Sequence, residues 1–156
     1  MVSVVYLFCF PVRQLTVSKP TLITWNGVPN KIKKNLFSYN EEMGFNKEEL
    51  KEMSLCCPSL LCSDARLKVI PQFEILHNEA KIPHEVLAKF PSSLLAPWVP
   101  TRSRLRFLQS LGRDQFDPKL ANYISPEMLT VRSDEIFCEK AARCSPVLFD
   151  DYQRTL

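Results

Sequence analysis

The sequence predicts an all-α protein, a right- or left-handed helical-repeat solenoid of short α-helices and 3₁₀ turns closed by a C-terminal cap. Three observations point that way. Twelve prolines stand beside only three glycines in 156 residues. Loop-rich β proteins use both at turns, whereas proline alone is tolerated in the first turn of a helix and just past its end, so this punctuation favours many short helices. A phrase also recurs, as Lys19-Pro20-Thr21-Leu22-Ile23, Cys57-Pro58-Ser59-Leu60-Leu61 and Phe90-Pro91-Ser92-Ser93-Leu94-Leu95, with its prolines 38 and then 33 residues apart. Spacings of that size are those of stacked helical units. Between the phrases, apolar residues follow the helical period.

Residues 1–13 read as an apolar N-terminal segment, truncated or atypical. Its run Val4 to Phe10 is too short to span a bilayer, which takes about 20 apolar residues. It carries neither the basic start of a signal peptide nor the Arg/Ser-rich character of a transit peptide, so no targeting peptide is visible. Residues 14–112 read as the helical repeats. At each corner the proline ends a helix and the following apolar pair turns into the core as a 3₁₀ turn. In the first full unit Pro29 sits in a first helical turn, and Ile32, Leu36, Tyr39 and Met43 fall within about 60° of arc. Gly44 supplies the stop. Asn46 and Glu49 have the spacing of a capping box, opening a second helix with Leu50, Met53 and Cys57 inward.

The second unit opens at Pro71 with Phe73, Leu76 and Ala80 inward, and Ile82-Pro83 restarts a shorter helix with Val86, Leu87 and Phe90. The third follows Pro97 and Pro100, with Leu105, Leu108 and Leu111 on one side and Gly112 at the stop. Residues 113–156 read as an acidic capping region. There Asp114 to Asn122 is turn-like, Ser125-Pro126 matches an N-cap with proline at N1, and Ser133 caps a last helix through Ile136, Phe137, Ala141 and Cys144.

Composition excludes a disordered chain, at 46% hydrophobic and 24% charged. Catalysis has little to stand on. His77 and His84 lack a nucleophile in context and read as surface or packing residues, and three glycines cannot build a phosphate-cradling loop. The cysteines Cys9, Cys56, Cys57, Cys62, Cys138 and Cys144 form no metal-binding spacing. They read as small buried hydrophobes in a reducing compartment, and no catalytic residue, metal or cofactor is expected.

The net charge of +3 conceals a pattern: +5 over residues 1–40, −4 over 41–85, +5 over 86–113 and −3 over 114–156, the two positive stretches containing no acid at all. Arg102 and Arg106 lie within about 40° of each other on a helix, opposite Leu105, Leu108 and Leu111, with Arg113 following just beyond the helix end. They are the leading candidates for phosphate contact. Arg104 falls inside the apolar arc, where it either reaches past the core edge to join them or pairs with a carboxylate. Lys89 shares the same stretch. Lys31 and Lys34, then Arg66 and Lys68 in the comparable region of the next unit, extend the candidate track.

These phrases carry a resemblance. Met43-Gly44-Phe45-Asn46-Lys47-Glu48-Glu49-Leu50 followed by Pro58-Ser59-Leu60-Leu61 resembles one repeat of the mitochondrial transcription termination factor (mTERF) family, as does Asn78-Glu79-Ala80-Lys81-Ile82-Pro83 followed by Phe90-Pro91 and Leu94-Leu95. Arg102 to Gly112, Asn122-Tyr123-Ile124-Ser125 and Ser133-Asp134-Glu135-Ile136-Phe137 are similar to the way such proteins end. The resemblance runs from Gln14 to the C-terminus. It implies a curved solenoid of two α-helices and a 3₁₀ turn per repeat, whose concave basic groove binds double-stranded DNA, or structured RNA, in mitochondria, with chloroplasts as the alternative. It implies work in organellar transcription termination or initiation, RNA processing or ribosome assembly; beside it, an organellar protein partner through the C-terminal region is expected, and no membrane. The chain departs from the pattern in its small number of repeats and in the short helix between Pro83 and Pro91. The alternative is a non-catalytic interaction scaffold or a truncated, non-functional family fragment. The acid-free stretches favour nucleic acid, since a scaffold needs none.

Overall fold

The computed structural model describes residues 30–155. The segment 1–13, the first proline corner Lys19–Ile23 and the helix start expected at Pro29 lie outside the described residues. Among the described residues every regular element is helical.

Helix α1 (Asn30–Glu41) turns Ile32 and Tyr39 into the core, with Leu36 half-buried and Met43 buried just past its end. Gly44 then takes φ +76°, a left-handed conformation that costs glycine little, and Phe45 N donates to Tyr39 O at 3.2 Å. Helix α2 (Lys47–Cys56) opens with the expected capping box. Asn46 Oδ1 accepts from Glu49 N at 2.8 Å, and Glu49 Oε2 accepts from Asn46 N at 2.9 Å. The corner at Pro58 is the short α3 (Ser59–Cys62), which buries both Leu60 and Leu61. Its bonds are mixed, since Leu60 N and Leu61 N reach back three residues while Ser63 N reaches back four. The next corner, Pro91–Leu95, is the 3₁₀ turn expected of both.

The second unit starts earlier than its proline suggests. Asp64 Oδ1 accepts from Leu67 N at 3.0 Å and caps a π-helical turn, Ala65–Val69, which runs into α4 (Ile70–Phe73) and a second π turn, Glu74–Glu79. Pro71 therefore sits inside the helix. Its ring crowds the preceding turn and brings no donor, and the wider π winding, with Ile70 N bonded to Ala65 O, takes it up. Helix α5 (His84–Lys89) follows Pro83 and buries Val86 and Leu87.

Helix α6 (Trp98–Ser110) begins directly after Pro97, buries Leu105, Phe107 and Leu108, and stops at Gly112, φ +64°. Beyond it come α7 (Pro126–Leu129), α8 (Asp134–Phe137) with a π turn over Cys138–Ala142, and α9 (Pro146–Arg154). The α9 helix is an addition to the sequence expectation, which ended at Cys144. Phe107, Phe137, Phe149 and Tyr152 close this end with ring centroids 4.9 to 6.5 Å apart. They join one core that reaches back to Tyr39.

Three buried polar residues repeat with the units. Asn35, Gln72 and Arg104 each stand three and four residues before a buried pair, Ser38/Tyr39, Ile75/Leu76 and Phe107/Leu108, and each reaches backbone that closes its own unit. Asn35 Nδ2 donates to Leu61 O at 2.8 Å and Ser63 O at 2.7 Å. Gln72 Nε2 donates to Ser93 O at 3.0 Å and to Thr101 Oγ1 at 3.2 Å. Arg104 Nη1 donates to Leu129 O at 3.0 Å and also to Val131 O. Corner carbonyls taken out of water need such donors, and a side chain from the unit's first helix supplies them in all three.

Candidate nucleic-acid interface

The outward face of α6 gathers four side chains that the inner face cannot accommodate. Trp98 (38% exposed) and Val99 (60%) occupy the first turn, Arg102 follows one turn later and the exposed Arg106 one turn after that. With Ser103 they line a shallow depression of about 170 Å³. The Arg102 guanidinium lies 5.6 Å from the Trp98 ring centroid, within reach of the ring's negative face. Its Nη2 pairs with Glu79 Oε1 at 2.6 Å. Arg106 forms no ion pair among the described residues. The surface of the depression is almost wholly apolar, formed by the aromatic plate, Val99 and the carbon stems of the two arginines, and with their charged ends this face suits a polyanion with apolar sugar and base surfaces.

Two candidates are corrected. Arg104 is 4% exposed, and its donors are spent inside the protein: Nε and Nη2 on Asp134 Oδ1 at 3.0 and 2.7 Å, and Nη1 on the carbonyls of Leu129 and Val131. The guanidinium lies 5.2 Å from the Phe137 ring centroid. Of the two outcomes open to a cation in the apolar arc, pairing with a carboxylate is the one realised, and no phosphate can reach it. Arg113 is itself exposed, but it is engaged within the protein, its Nη1 donating to the carbonyls of Ala142 and Arg143 at the end of the Cys138–Ala142 turn. Those carbonyls lack helical partners, and the cation settles on them.

The other candidates are exposed. Lys31 and Lys34 stand on α1, and Arg66 and Lys68 on the neighbouring Ala65–Val69 turn. Lys89 ends α5, where a cation also complements the helix dipole. Trp98, Val99 and Glu79 were absent from the sequence expectation, although Trp98 stands four residues before Arg102 and so on the same helical face.

The two histidines pack against each other and bond backbone carbonyls. His77 Nδ1 donates to Ile82 O at 2.9 Å and His84 Nε2 to Met43 O at 2.7 Å, with the rings 4.2 Å apart beside Phe45 and Phe73. Of the cysteines, Cys138 is buried as expected, whereas Cys56 is exposed and Cys57 and Cys144 are half-buried, and these four carry free thiols.

The fold, the proline corners and the spacing of the units meet in one comparison: the family model described as mTERF matches residues 12–135. The chain belongs to the mTERF family. It is similar to the Drosophila melanogaster protein named transcription termination factor 3, mitochondrial, at 31% identity over 143 residues, which are 92% of this chain and 40% of that protein. It is similar to the proteins of the same name from Rattus norvegicus, at 34% identity, and Mus musculus, at 35%, each over 89 residues covering 57% of this chain and 22% of the rodent protein. This mTERF chain thus spans well under half the length of the relatives it matches.

Proposed function

We propose that this mTERF chain binds double-stranded nucleic acid, DNA in the first instance and structured RNA as the alternative, through the outward face of α6, and that it serves mitochondrial transcription as a non-catalytic factor. The observation that carries the proposal is the pairing of Arg102 and Arg106 around one depression with Trp98 and Val99. Family membership and the names of the relatives support the organelle and the process.

The mechanism is electrostatic. Each lysine or arginine that meets a phosphate releases condensed counterions and positions the duplex without reading its sequence. Lys31, Lys34, Arg66, Lys68 and Lys89 stand exposed on the preceding units and extend the contact beyond α6. Arg104 holds the last unit shut and takes no direct part. Fluorescence anisotropy with a labelled duplex tests this: Arg102→Ala with Arg106→Ala should lower affinity at least tenfold in low salt. Unchanged affinity in that variant, with its helical circular dichroism intact, would remove α6 from the interface.

A further inference from the structure

We propose that Glu79 sets the affinity of the α6 face for phosphodiesters by competing with them for Arg102, a role that rests on the nucleic-acid reading of that face. Glu79 ends the Glu74–Glu79 turn of the second unit and Arg102 belongs to the third, so the contact between them, 2.6 Å from Oε1 to Nη2, bridges two repeats. Arg102 Nε is buried without a hydrogen-bond partner among the described residues. The ring of Trp98 lies against the guanidinium. The terminal nitrogens therefore offer the open approach to this cation, and a carboxylate already holds one of them.

A carboxylate and a phosphodiester make the same charge-assisted bonds to a guanidinium. A phosphodiester that takes both terminal nitrogens of Arg102 in the bidentate mode displaces Glu79, and the released carboxylate is left beside a polyanion, where it draws a cation from solution. Binding at Arg102 thus returns part of the counterion release that it gains. Arg106, without a carboxylate of its own, keeps the whole of it.

The test is a double-mutant cycle on the full chain, read as duplex affinity against salt. Glu79→Gln should tighten binding roughly two- to fivefold, the range of a half-exposed ion pair, and steepen the log K against log salt slope by up to about 0.9. In an Arg102→Ala background the gain should vanish, and Glu74→Gln, which removes a carboxylate from the same turn without touching Arg102, should not reproduce it. A gain that persists without Arg102, or that Glu74→Gln matches, would reduce Glu79 to long-range charge. Weaker or unchanged binding in Glu79→Gln, with Arg102→Ala still weakening it, would make Glu79 at most a positioning residue and overturn competition alone. An Arg102→Ala variant that binds like the parent would bring down the reading of the α6 face and competition with it.

Discussion

Two arginines two residues apart have opposite fates in α6. Arg104 points into the core and is paired on every side, while Arg106 points out and forms no ion pair among the described residues. Removing Arg104 orphans the carbonyl of Leu129, so Arg104→Ala should lower stability by about 2–4 kcal/mol in urea denaturation. Arg106→Ala should stay within about 0.5 kcal/mol of the parent yet weaken duplex binding. Equal stabilities for the two variants would contradict the buried network. The helical angle alone placed Arg104 in the apolar arc, but which carbonyls and which carboxylate it would meet depends on residues 129–134, brought near by tertiary folding that no local pattern specifies. Burial also governs the titration of the core. Desolvation, reinforced by the neighbouring Cys144, pushes the Cys138 thiol up to about 11 from an ordinary value of 9.0. Burial raises the Tyr39 phenol above its usual 10.0 as well, and its hydroxyl donates to Leu60 O at 2.8 Å. Both neutral forms are favoured in the folded state: the contribution of Cys138 is complete below pH 9 and is lost as pH rises toward 11, while that of Tyr39 begins to fall only above pH 10. The melting temperature should fall over that window, and Cys138→Ala should flatten the fall.

Among the elements, those written in local chemistry were legible. Asn46, three residues before Glu49, is a capping box in sequence and in structure, and Asn46→Ala should cost about 1 kcal/mol by thermal or chemical denaturation. The stripe Ile32, Tyr39 and Met43 is buried because helical spacing leaves those residues one face to occupy. The helix from Ala65 was less legible, because proline at position 71 signals a first turn and the π winding that admits it mid-helix has no sequence signature. Helix α9 did carry a signal, Ser145-Pro146, the same N-cap and N1 pair that marks α7. The three buried donors Asn35, Gln72 and Arg104 differ in residue type, and so escape a search for repeated phrases, but they serve equivalent corners. Gln72→Leu should cost about 1–3 kcal/mol, since the Ser93 carbonyl loses a buried donor. A neutral outcome in urea would show that water reaches that corner.

Over the whole molecule, the alternation of charge along the chain resolves into two uses. In the positive stretch 86–113, Arg104 is buried and Arg113, itself exposed, bonds the carbonyls of Ala142 and Arg143, while Lys89, Arg102 and Arg106 remain on the surface, Arg102 tethered to Glu79. The proline corners, the helical period and the family likeness made the architecture readable in advance, since repeats write their geometry into spacing. The candidate interface was read only in its charges. Its carboxylate, Glu79, belongs to the preceding unit and meets Arg102 only once the two units stack, whereas its aromatic plate, Trp98, shares the helix of Arg102 and meets it as that helix forms. The central claim, that exposed cations on and beside α6 hold a duplex by its phosphates, is tested most directly by the salt dependence of binding. Seven phosphate contacts, by Arg102, Arg106 and the five cations of the preceding units, predict a log K against log salt slope of about −6.3, or about −5.4 where the displaced Glu79 returns the share of Arg102, and loss of Arg102 and Arg106 brings it to about −4.5. A flat response, or a slope unaltered in the double variant, would contradict it.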